Sequence, residues 1–441
     1  MNMIMNMDSY KMAHGPLYPK GTNAISSYVE ARTENDIIVP FGRQKFLKQY
    51  LMNPITLADV DEAESLIVPH GLPFDRSALK KIVNVYDGFA PVTIRGVREG
   101  TVTKSREVLD VIECEDPDIF WFASALETAY QRAIWFPTTI ASNDFINRCA
   151  IQRMYDKSSD DHNTVPFALH SFGSRGVECA EAAAIGGLAH LVYFQGTDDL
   201  IALKAAKDYY NATDPVGFSV VATEHSVQCA YGNDNQAAYL DAVLDTYGKP
   251  GAIVSVVMDG YSIYREVELL CTPYFVDKIK RLGCKFVVRP DSGDPKEIIP
   301  WILDRLNEAF GSRLNSKGYI VLNNVGVIQG DGIDQRSLVE LMNVVESHNY
   351  AAENVIYGSG GGLLQKVNRD TFKFAQKTSA IRIGDRWIDT VKDPITDQGK
   401  RSKSGRQGLD LDVIFENGKL LIDENFETIR KRAIDGLNEM M

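Results

Sequence analysis

Charged residues and glycines recur in this chain directly after short apolar runs of β-forming residues. The clearest case is Arg289-Pro290-Asp291-Ser292-Gly293, which follows Phe286-Val287-Val288 and precedes a helical pattern. A cation and a carboxylate in such a turn could bind a sugar phosphate, although an ordinary strand–helix turn with an N-cap uses similar residues. Seven segments share this position, namely residues 172–176, 195–199, 224–226, 259–261, 289–291, 330–332 and 358–362. All seven carry glycine, an acid, arginine or histidine, which favours one shared polar pocket over seven unrelated turns.

Two further patterns indicate an anionic ligand. The glycine run 358–362 would let backbone N–H groups converge in front of the helical pattern that starts at Leu363. It is not a P-loop, because no Gly-Lys-Ser/Thr follows at the required spacing, and a flexible turn is the alternative. Basic residues also cluster in this acidic chain, at Lys366, Arg369, Lys373, Lys377, Lys392 and 400–406. Such a cluster suits a pyrophosphate-sized anion, with a solvated loop as the alternative for 400–406.

No arrangement typical of a catalytic triad is present. His225 follows Glu224, but the spacing places neither a nucleophile nor a base within its reach, and a lone histidine at a strand end is also compatible with a structural role. No lysine stands at a strand end, which argues against an aldolase- or isomerase-type barrel that works through a Schiff base.

The elements that must position these segments alternate regularly in the middle of the chain. Helical patterns, such as 236–247 and 273–282, lie between apolar runs that predict strands at 167–169, 191–194, 219–221, 253–257, 286–288, 326–328 and 355–357. This alternation predicts parallel βαβ units, and seven of them approach the size of a closed (β/α)8 barrel, in which ligands bind at the carboxyl ends of the strands. An α/β fold with a (β/α)8-like barrel is therefore expected. An open doubly wound sheet is the main alternative.

Both ends of the chain are predicted to be β-rich. Residues 91–115 alternate like antiparallel strands, and Asn417-Gly418 between two apolar runs is a strong hairpin signal. We expect both ends to join in a second, β-rich α+β domain. On this interpretation residues 1–165 and 376–441 form one discontinuous domain, and residues 166–375 form the βα-barrel domain.

Composition argues against several classes of protein. The net charge of −12 disfavours a general nucleic-acid or anionic-membrane binder, since either needs a basic face. The six cysteines are scattered, without Cys-x-x-Cys or zinc-ligand spacing, which predicts reduced thiols and no metal site. The N-terminus lacks signal-peptide features, and no apolar run approaches the roughly 20 residues that span a bilayer. A cytoplasmic protein is expected.

With these residues assembled, the chain resembles the nicotinamide phosphoribosyltransferase family, of the type II phosphoribosyltransferases. The resemblance keeps its order through residues 8–11, 172–176, 190–198, 224–226, 289–293, 327–332, 358–366, 369–370, 392–394 and 400–402. It implies the condensation of nicotinamide with 5-phosphoribosyl 1-pyrophosphate to nicotinamide mononucleotide and pyrophosphate, in NAD salvage. It also implies Mg²⁺ carried on the pyrophosphate, ATP as a coupled phosphate donor, and a homodimer with active sites shared between the subunits.

The resemblance also assigns roles to individual residues. Phe172 and Tyr10 of the partner subunit would sandwich the pyridine ring, and Asp198 would accept the carboxamide N–H. His225, Arg289 and Asp291 are the expected catalytic residues, with His225 phosphorylated when ATP is coupled. The expected ribose and phosphate ligands are Gly330, Asp331, Gly361 and Arg175, joined by the partner's Arg32, the partner's Arg369, the partner's Lys377, the partner's Lys392 and the partner's Lys400.

Catalysis in such a site would depend on positioning and electrostatics, because the pyridine nitrogen already has a lone pair and needs no general base. The Asp198 carboxylate favours nicotinamide over nicotinate, whose own carboxylate it would repel. A nicotinate phosphoribosyltransferase and a non-catalytic nucleotide-binding homologue are the alternatives. Two residues depart from the family pattern: Ser174 stands where an aromatic residue is usual, and Gln195 where a lysine is common.

Overall fold

The computed structural model describes residues 2–441, which divide into two compact units. The first unit contains the chain up to Ser142 together with Ala205–Thr213 and Val367–Met440. The second contains Asn143–Lys204 and Asp214–Lys366. Among the described helices, none is long and apolar enough to cross a membrane.

The elements follow one another along the chain with these bounds. The strands are β1 Thr22–Glu30, β2 Ile37–Ile38, β3 Val92–Gly96, β4 Thr103–Lys104, β5 Asp110–Cys114, β6 Leu169–Ser171, β7 Gly196–Thr197, β8 Val221–Ala222, β9 Ile253–Val257, β10 Lys285–Arg289, β11 Ser312–Leu314, β12 Ile320–Leu322, β13 Val325–Gln329, β14 Val355–Ser359, β15 Ala375–Ile383, β16 Arg386–Asp389, β17 Asp412–Glu416 and β18 Lys419–Leu420. The helices are α1 Arg43–Phe46, α2 Leu57–Ile67, α3 Arg76–Val85, α4 Phe122–Ala125, α5 Glu127–Ser158, α6 Ala180–His190, α7 Leu200–Tyr209, α8 His225–Ala230, α9 Gln236–Tyr247, α10 Ile263–Leu270, α11 Pro273–Leu282, α12 Pro295–Phe310, α13 Gln335–Ser347, α14 Gly361–Leu364 and α15 Phe426–Met440.

The first unit is built on a seven-stranded antiparallel sheet in the order β16-β15-β1-β5-β3-β17-β18. β1 lies between β15 and β5, so that Ile25 pairs with Ile381 on one side and with Cys114 on the other. Strands from both ends of the chain thus share one sheet, as expected. The β17–β18 turn has positive φ at Asn417 (48°) and Gly418 (81°), which suits the Asn-Gly hairpin signal. One face of the sheet packs against α2, α3 and α4 in a fully apolar core.

The second unit is built on a curled parallel sheet in the order β7-β6-β14-β13-β10-β9-β8. The two edges of this sheet meet, because Gly196 in β7 pairs in parallel with Phe218, just ahead of β8. The Thr197 N–H donates to the Phe218 carbonyl (2.9 Å), and the Phe218 N–H donates to the Gln195 carbonyl (2.7 Å). All seven strands therefore direct their carboxyl ends to the same end of the curled sheet.

Six of the seven strands predicted for this sheet lie at or within two residues of the predicted positions, but the strand expected at 191–194 is wrong. These residues form the turn that ends α6, in which the Leu191 N–H donates to Leu188 and the Phe194 N–H to His190. β7 begins two residues later, at Gly196. A short buried apolar run has the same appearance in a strand and in the last turn of a helix, so its composition did not separate the two.

Candidate active site

The Phe172 ring occupies space that glycines leave free at two neighbouring strand ends. β6 ends at Ser171, and the Phe172 N–H donates to the carbonyl of Ser359 at the end of β14 (2.9 Å). A Cβ on Gly358 would lie 2.0 Å from the Phe172 ring, and a Cβ on Gly330 would lie 3.2 Å from it. The glycines at the ends of β13 and β14 therefore make room for an aromatic ring, which is a task beyond anion binding.

The glycine run 358–362 forms a close-packed turn into α14. A Cβ on Gly362 would lie 2.2 Å from the carbonyl oxygen of Ile333, so the backbone approaches there as only glycine allows. The loop after β6 packs on the same turn, since a Cβ on Gly176 would lie 3.9 Å from the Gly361 Cα. The exposed Arg175 thus lies one residue from this contact. α14 has only one turn, so any attraction of an anion there must come from local N–H groups and from Arg175.

Asp259 connects three groups at neighbouring strand ends. It follows β9, and its side chain is only 3% exposed. Its Oδ1 lies 2.9 Å from the Nε2 of His225, the first residue of α8. Its Oδ2 accepts the Asp291 N–H (3.0 Å) and the Ser292 hydroxyl (2.6 Å). A buried carboxylate held in this way orients the His225 ring and the turn after β10 together.

The position of His225 leaves its second ring nitrogen available. The Nδ1 atom lies 3.8 Å from the Asp291 carboxylate, and the side chain is 44% exposed. Such a histidine, with one nitrogen fixed by a buried carboxylate and the other open, can accept a proton or a phosphoryl group. Sequence reasoning placed Asp259 at a strand end but gave it no role. The role of Asp259 depends on the order of strands in the sheet, where β9 lies between β8 and β10, and the sequence does not show that order.

Asp198 is an exposed carboxylate directly after β7. Its N–H donates to the Ser171 carbonyl (3.2 Å), and its carboxylate accepts the Ser219 hydroxyl. His170 in β6 is buried, and burial lowers the pKa of His170 to about 4. The imidazole is therefore neutral at neutral pH, and Asp198 forms no ion pair among the described residues.

Arg289 and Asp331 complete the set on the second unit. Arg289 ends β10, and its Nε atom is buried without a hydrogen-bond partner among the described residues. An unpartnered buried guanidinium N–H is costly unless a ligand accepts its hydrogen bond. Asp331 is exposed, and its carbonyl accepts the Gln329 side-chain amide (2.9 Å). Both residues therefore lie at carboxyl ends of the curled sheet, as the sequence predicts.

The first unit holds a cationic cavity of about 1030 Å³. Five of its lining residues are the basic residues that the sequence singled out for phosphate, namely Arg32, Arg369, Lys377, Lys392 and Lys400. Arg106 and Lys373 add two further cations to the lining. Lys373 belongs to the basic cluster that the sequence predicted for a pyrophosphate-sized anion, whereas Arg106 was not expected. The acidic residues in the lining are Glu34, Asp36, Asp370 and Asp397, so cations outnumber acids by seven to four.

The cations of this cavity are only partly neutralised by their neighbours. Arg32 donates through Nε to Glu30 (3.1 Å), whereas its NH2 group is buried and has no partner among the described residues. Burial, together with the nearby Arg32, lowers the pKa of Lys377, although Glu127 opposes the shift. A bound polyanion would relieve this repulsion, so the cavity can hold a phosphate or pyrophosphate group.

Tyr10 lies outside the lining of this cavity, 54% exposed in the first unit. Its ring contacts that of His14 edge to face at 5.1 Å. Across residues 2–441, no group of three or more His, Cys, Asp or Glu residues is arranged to hold a metal ion. The expected residues thus fall into two sets. Phe172 and the acidic and ring-nitrogen groups lie on the second unit, whereas Tyr10 and most of the cations lie on the first.

Two family descriptions match the sequence. The Nicotinate phosphoribosyltransferase (NAPRTase) family matches residues 167–431, and the Nicotinamide phosphoribosyltransferase, N-terminal domain, matches residues 2–94. Together they extend over both units.

Similar proteins agree with these matches. The nicotinamide phosphoribosyltransferase of Xanthomonas campestris pv. campestris is 41% identical over 98% of both chains, and that of Acinetobacter baylyi is 29% identical over 99% of this chain and 98% of its own. The crystal structure of nicotinate-nucleotide pyrophosphorylase from Pyrococcus furiosus shares the fold, with a TM-score of 0.59 at 13% identity over 99% of this chain and 96% of that one. From the 41% identity across nearly its full length, the chain belongs to the nicotinamide phosphoribosyltransferase family.

Proposed function

We propose that the protein condenses nicotinamide with 5-phosphoribosyl 1-pyrophosphate to give nicotinamide mononucleotide and pyrophosphate, as a step of NAD salvage. Family membership supports the reaction, and one observation supports the choice of pyridine. Asp198 presents an exposed carboxylate, without an ion pair among the described residues, at the end of β7, beside the strand that leads to Phe172. A carboxylate accepts the N–H of an amide and repels a second carboxylate.

The pyridine ring would lie against Phe172 and be closed on its other face by Tyr10 of the partner subunit. Stacking between an electron-poor ring and aromatic faces is favourable by about 0.5–1.5 kcal/mol for each pair beyond the area that it buries. Gly330 and Gly358 leave the space that the Phe172 ring occupies, which supports this assignment. Asp198 would then select the carboxamide at the edge of the ring.

The sugar and phosphates would lie along the neighbouring strand ends. Arg289, whose Nε lacks a partner, and Asp291, held by Asp259, would contact the ribose and the pyridine. The proposed ribose and 5′-phosphate ligands are Gly330, Asp331, Gly361 and Arg175. The proposed pyrophosphate ligands come from a second subunit of a homodimer: the partner's Arg32, the partner's Arg369, the partner's Lys377, the partner's Lys392 and the partner's Lys400.

The residues of the site account for the reaction without a general base. The C1–oxygen bond to pyrophosphate lengthens as positive charge builds on the ribose, and the pyridine nitrogen supplies its own lone pair. Arginine and lysine side chains stabilise the departing anion, and Asp291 faces the side on which positive charge develops. Positioning of the two substrates would supply the rest of the acceleration.

Mg²⁺ is expected to enter on the pyrophosphate rather than to occupy a site made by the protein. Magnesium keeps several of its own waters and needs only one or two carboxylates, and Asp291 and Asp331 offer these at the strand ends. When bound, the ion neutralises charge on the leaving group.

ATP coupling would act through His225. Because Asp259 holds Nε2, the Nδ1 nitrogen is available to attack the γ-phosphorus of ATP, with ADP as the leaving group. Later attack of water on the phosphohistidine would release phosphate and restore the ring. We expect ATP to improve turnover in the wild type, and His225→Ala to retain some synthesis but lose the improvement. A fully ATP-responsive His225→Ala variant would contradict this role.

The decisive experiment incubates the purified protein with phosphoribosyl pyrophosphate and either nicotinamide or nicotinate, with and without ATP, and identifies products by mass. Nicotinamide mononucleotide as the main product is expected. The preference for nicotinamide should exceed roughly 10²-fold, because two like charges about 4 Å apart repel by about 4 kcal/mol near a protein surface. Asp198→Asn should reduce this preference by tenfold or more.

The exposed acid Asp277 on α11 provides a matched control, since Asp277→Asn removes the same charge from a surface position. Equal turnover of the two pyridines by the wild type would favour a nicotinate phosphoribosyltransferase. Binding of phosphoribosyl pyrophosphate without any turnover would favour a non-catalytic nucleotide-binding homologue.

The finer architecture belongs to the same proposal. We regard the curled parallel sheet as a (β/α)8-like barrel, closed at Gly196 and Phe218, and support for this comes from the pairing of these two residues. The proposed division places 166–375 in the barrel domain and the remaining residues in the β-rich domain. A cytoplasmic location is also proposed, and the six free cysteines support it.

A further inference from the structure

Asp199 is a buried carboxylate that the proposed chemistry does not use. It follows Asp198 directly, but Asp198 is exposed whereas Asp199 is only 2% exposed. Burial raises the pKa of Asp199, while hydrogen bonds from its neighbours oppose the shift. Burial of a carboxylate costs stability unless hydrogen bonds compensate it.

The hydrogen bonds that the Asp199 carboxylate accepts come from the last residue of β6 and from the loop that follows it. Its Oδ2 accepts the Ser171 hydroxyl (2.5 Å), and its Oδ1 accepts the Ser174 N–H (3.3 Å). The Ser171 hydroxyl oxygen in turn accepts the Gly173 N–H (3.4 Å). Both ends of the Phe172-Gly173 turn are therefore tied to one carboxylate.

Asp199 also contacts β7 and α6. The Asp199 N–H donates to the Thr197 hydroxyl (3.0 Å), and a Cβ on Gly187 of α6 would lie only 3.0 Å from the Asp199 Oδ2. The second distance shows that α6 lies directly against the carboxylate, an approach that the absence of a side chain at Gly187 allows. Asp199 is thus a buried, closely packed acceptor, and the loop that carries Phe172 and Arg175 is hydrogen-bonded to it.

We propose that Asp199 is a positioning residue for catalysis, which sets the Phe172 ring and Arg175 through its bonds to Ser171 and Ser174. The proposal rests on the proposed function of the same site. Asp198 and Asp199 then have different roles: Asp198 faces the substrate, and Asp199 holds the neighbouring loop that carries Phe172. A purely structural carboxylate would stabilise the fold without affecting how nicotinamide binds.

Two variants test this proposal at different strengths. Asp199→Ala removes both bonds to the loop, whereas Ser171→Ala removes one and leaves the Ser174 N–H bonded. Displacement of a substrate-positioning group by about 1 Å can cost 10²-fold in rate. We therefore expect Asp199→Ala to lower kcat/KM for nicotinamide by roughly 30- to 100-fold, with a raised KM, and Ser171→Ala to lower it several-fold.

Asp304→Asn is the matched control for stability. Asp304 accepts the Tyr350 hydroxyl (2.8 Å) in the same unit, so its change weakens a comparable hydroxyl–carboxylate bond that involves none of the strand-end residues. Its kcat/KM should stay within about twofold of the wild type. The melting temperature of each variant shows whether any loss of activity merely follows a loss of stability.

A double-mutant cycle separates positioning from general damage. If Asp199 acts through Phe172, then Asp199→Ala should cost less than about threefold in a Phe172→Ala background. The proposal is overturned if the two losses multiply, or if Asp199→Ala alone keeps kcat/KM and KM within twofold. A folded Asp199→Ala variant whose kcat falls with unchanged KM for nicotinamide would also overturn it.

Calorimetric titration of the wild type with nicotinamide distinguishes failure of this proposal from failure of the proposed function. If the wild type binds nicotinamide without forming product, the proposed function fails, and weaker binding by Asp199→Ala still supports its positioning role. If the wild type neither binds nor converts nicotinamide, both proposals fail.

Discussion

Replacement of Gly358 by alanine should displace the Phe172 ring without straining the backbone. Gly358 lies in β14 with an ordinary negative φ, so alanine fits its conformation, and the effect is purely steric. The new Cβ would lie 2.0 Å from the ring, about 1.5 Å short of ordinary carbon–carbon contact. Overpacking of this kind costs about 1–3 kcal/mol, and a ring moved by more than 1 Å no longer stacks on the substrate.

Steady-state kinetics and thermal unfolding together measure this effect. We expect Gly358→Ala to lower kcat/KM for nicotinamide by roughly 10²-fold and to lower the melting temperature by about 2–4 °C for each kcal/mol lost. Addition of Phe172→Leu, which shortens the obstructing side chain, should restore most of the stability but not the activity. A Gly358→Ala variant with wild-type KM and melting temperature would show that the ring does not depend on this glycine.

Three further predictions concern other parts of the second unit. Asp259→Asn should lower kcat/KM by tenfold or more, because one amide oxygen cannot serve His225, Asp291 and Ser292 together; unchanged activity would contradict its bridging position. Lys317→Met should lower the free energy of unfolding in urea by about 1 kcal/mol without changing turnover, because the Lys317 Nζ donates to the Asp156 and Ser159 carbonyls at the end of α5. Lys296→Met is the control: it loses only an exposed ion pair and should change the free energy of unfolding little. Burial lowers the pKa of His170 to about 4, so below pH 6.5 the unfolded chain binds more protons than the folded one. The free energy of unfolding should therefore fall by up to about 3 kcal/mol as pH falls from 6.5 to 4. Urea unfolding at each pH should show a weaker dependence of this free energy on pH for His170→Gln.

The sequence predicted the parts of the structure that depend on local signals. The Asn417-Gly418 hairpin and the helices at 236–247 and 273–282 are present at the predicted residues. The strand ends were located because parallel strands end in turns with glycine and charged residues. By contrast β1, an interior strand of the antiparallel sheet, gave no signal, because it is buried on both faces and carries Ser26 and Ser27 in place of an alternating pattern.

The candidate site could be predicted as a set of residues but not as an arrangement. Family resemblance supplied Phe172, Asp198 and His225, each of which lies at a carboxyl strand end. The anchoring carboxylates Asp199 and Asp259 were not given roles, because these depend on which strand lies beside which. The sequence order of β8, β9 and β10 happens to equal their order in the sheet, whereas β6 lies between β7 and β14. No local sequence pattern predicts that β6 lies between β7 and β14.

The closure of the curled sheet at Gly196 and Phe218 has a consequence for its local stability. β7 and β8 have two residues each, whereas β9, β10, β13 and β14 have five, so the sheet is held least firmly where its edges meet. Local unfolding begins where the fewest hydrogen bonds must open, and we expect the Thr197 and Phe218 amides to exchange with solvent before those of β10 and β13. Asp198 and Ser219 flank this seam. The end of the site that is proposed to select the pyridine is therefore expected to open locally more often than the ends of β10 and β13.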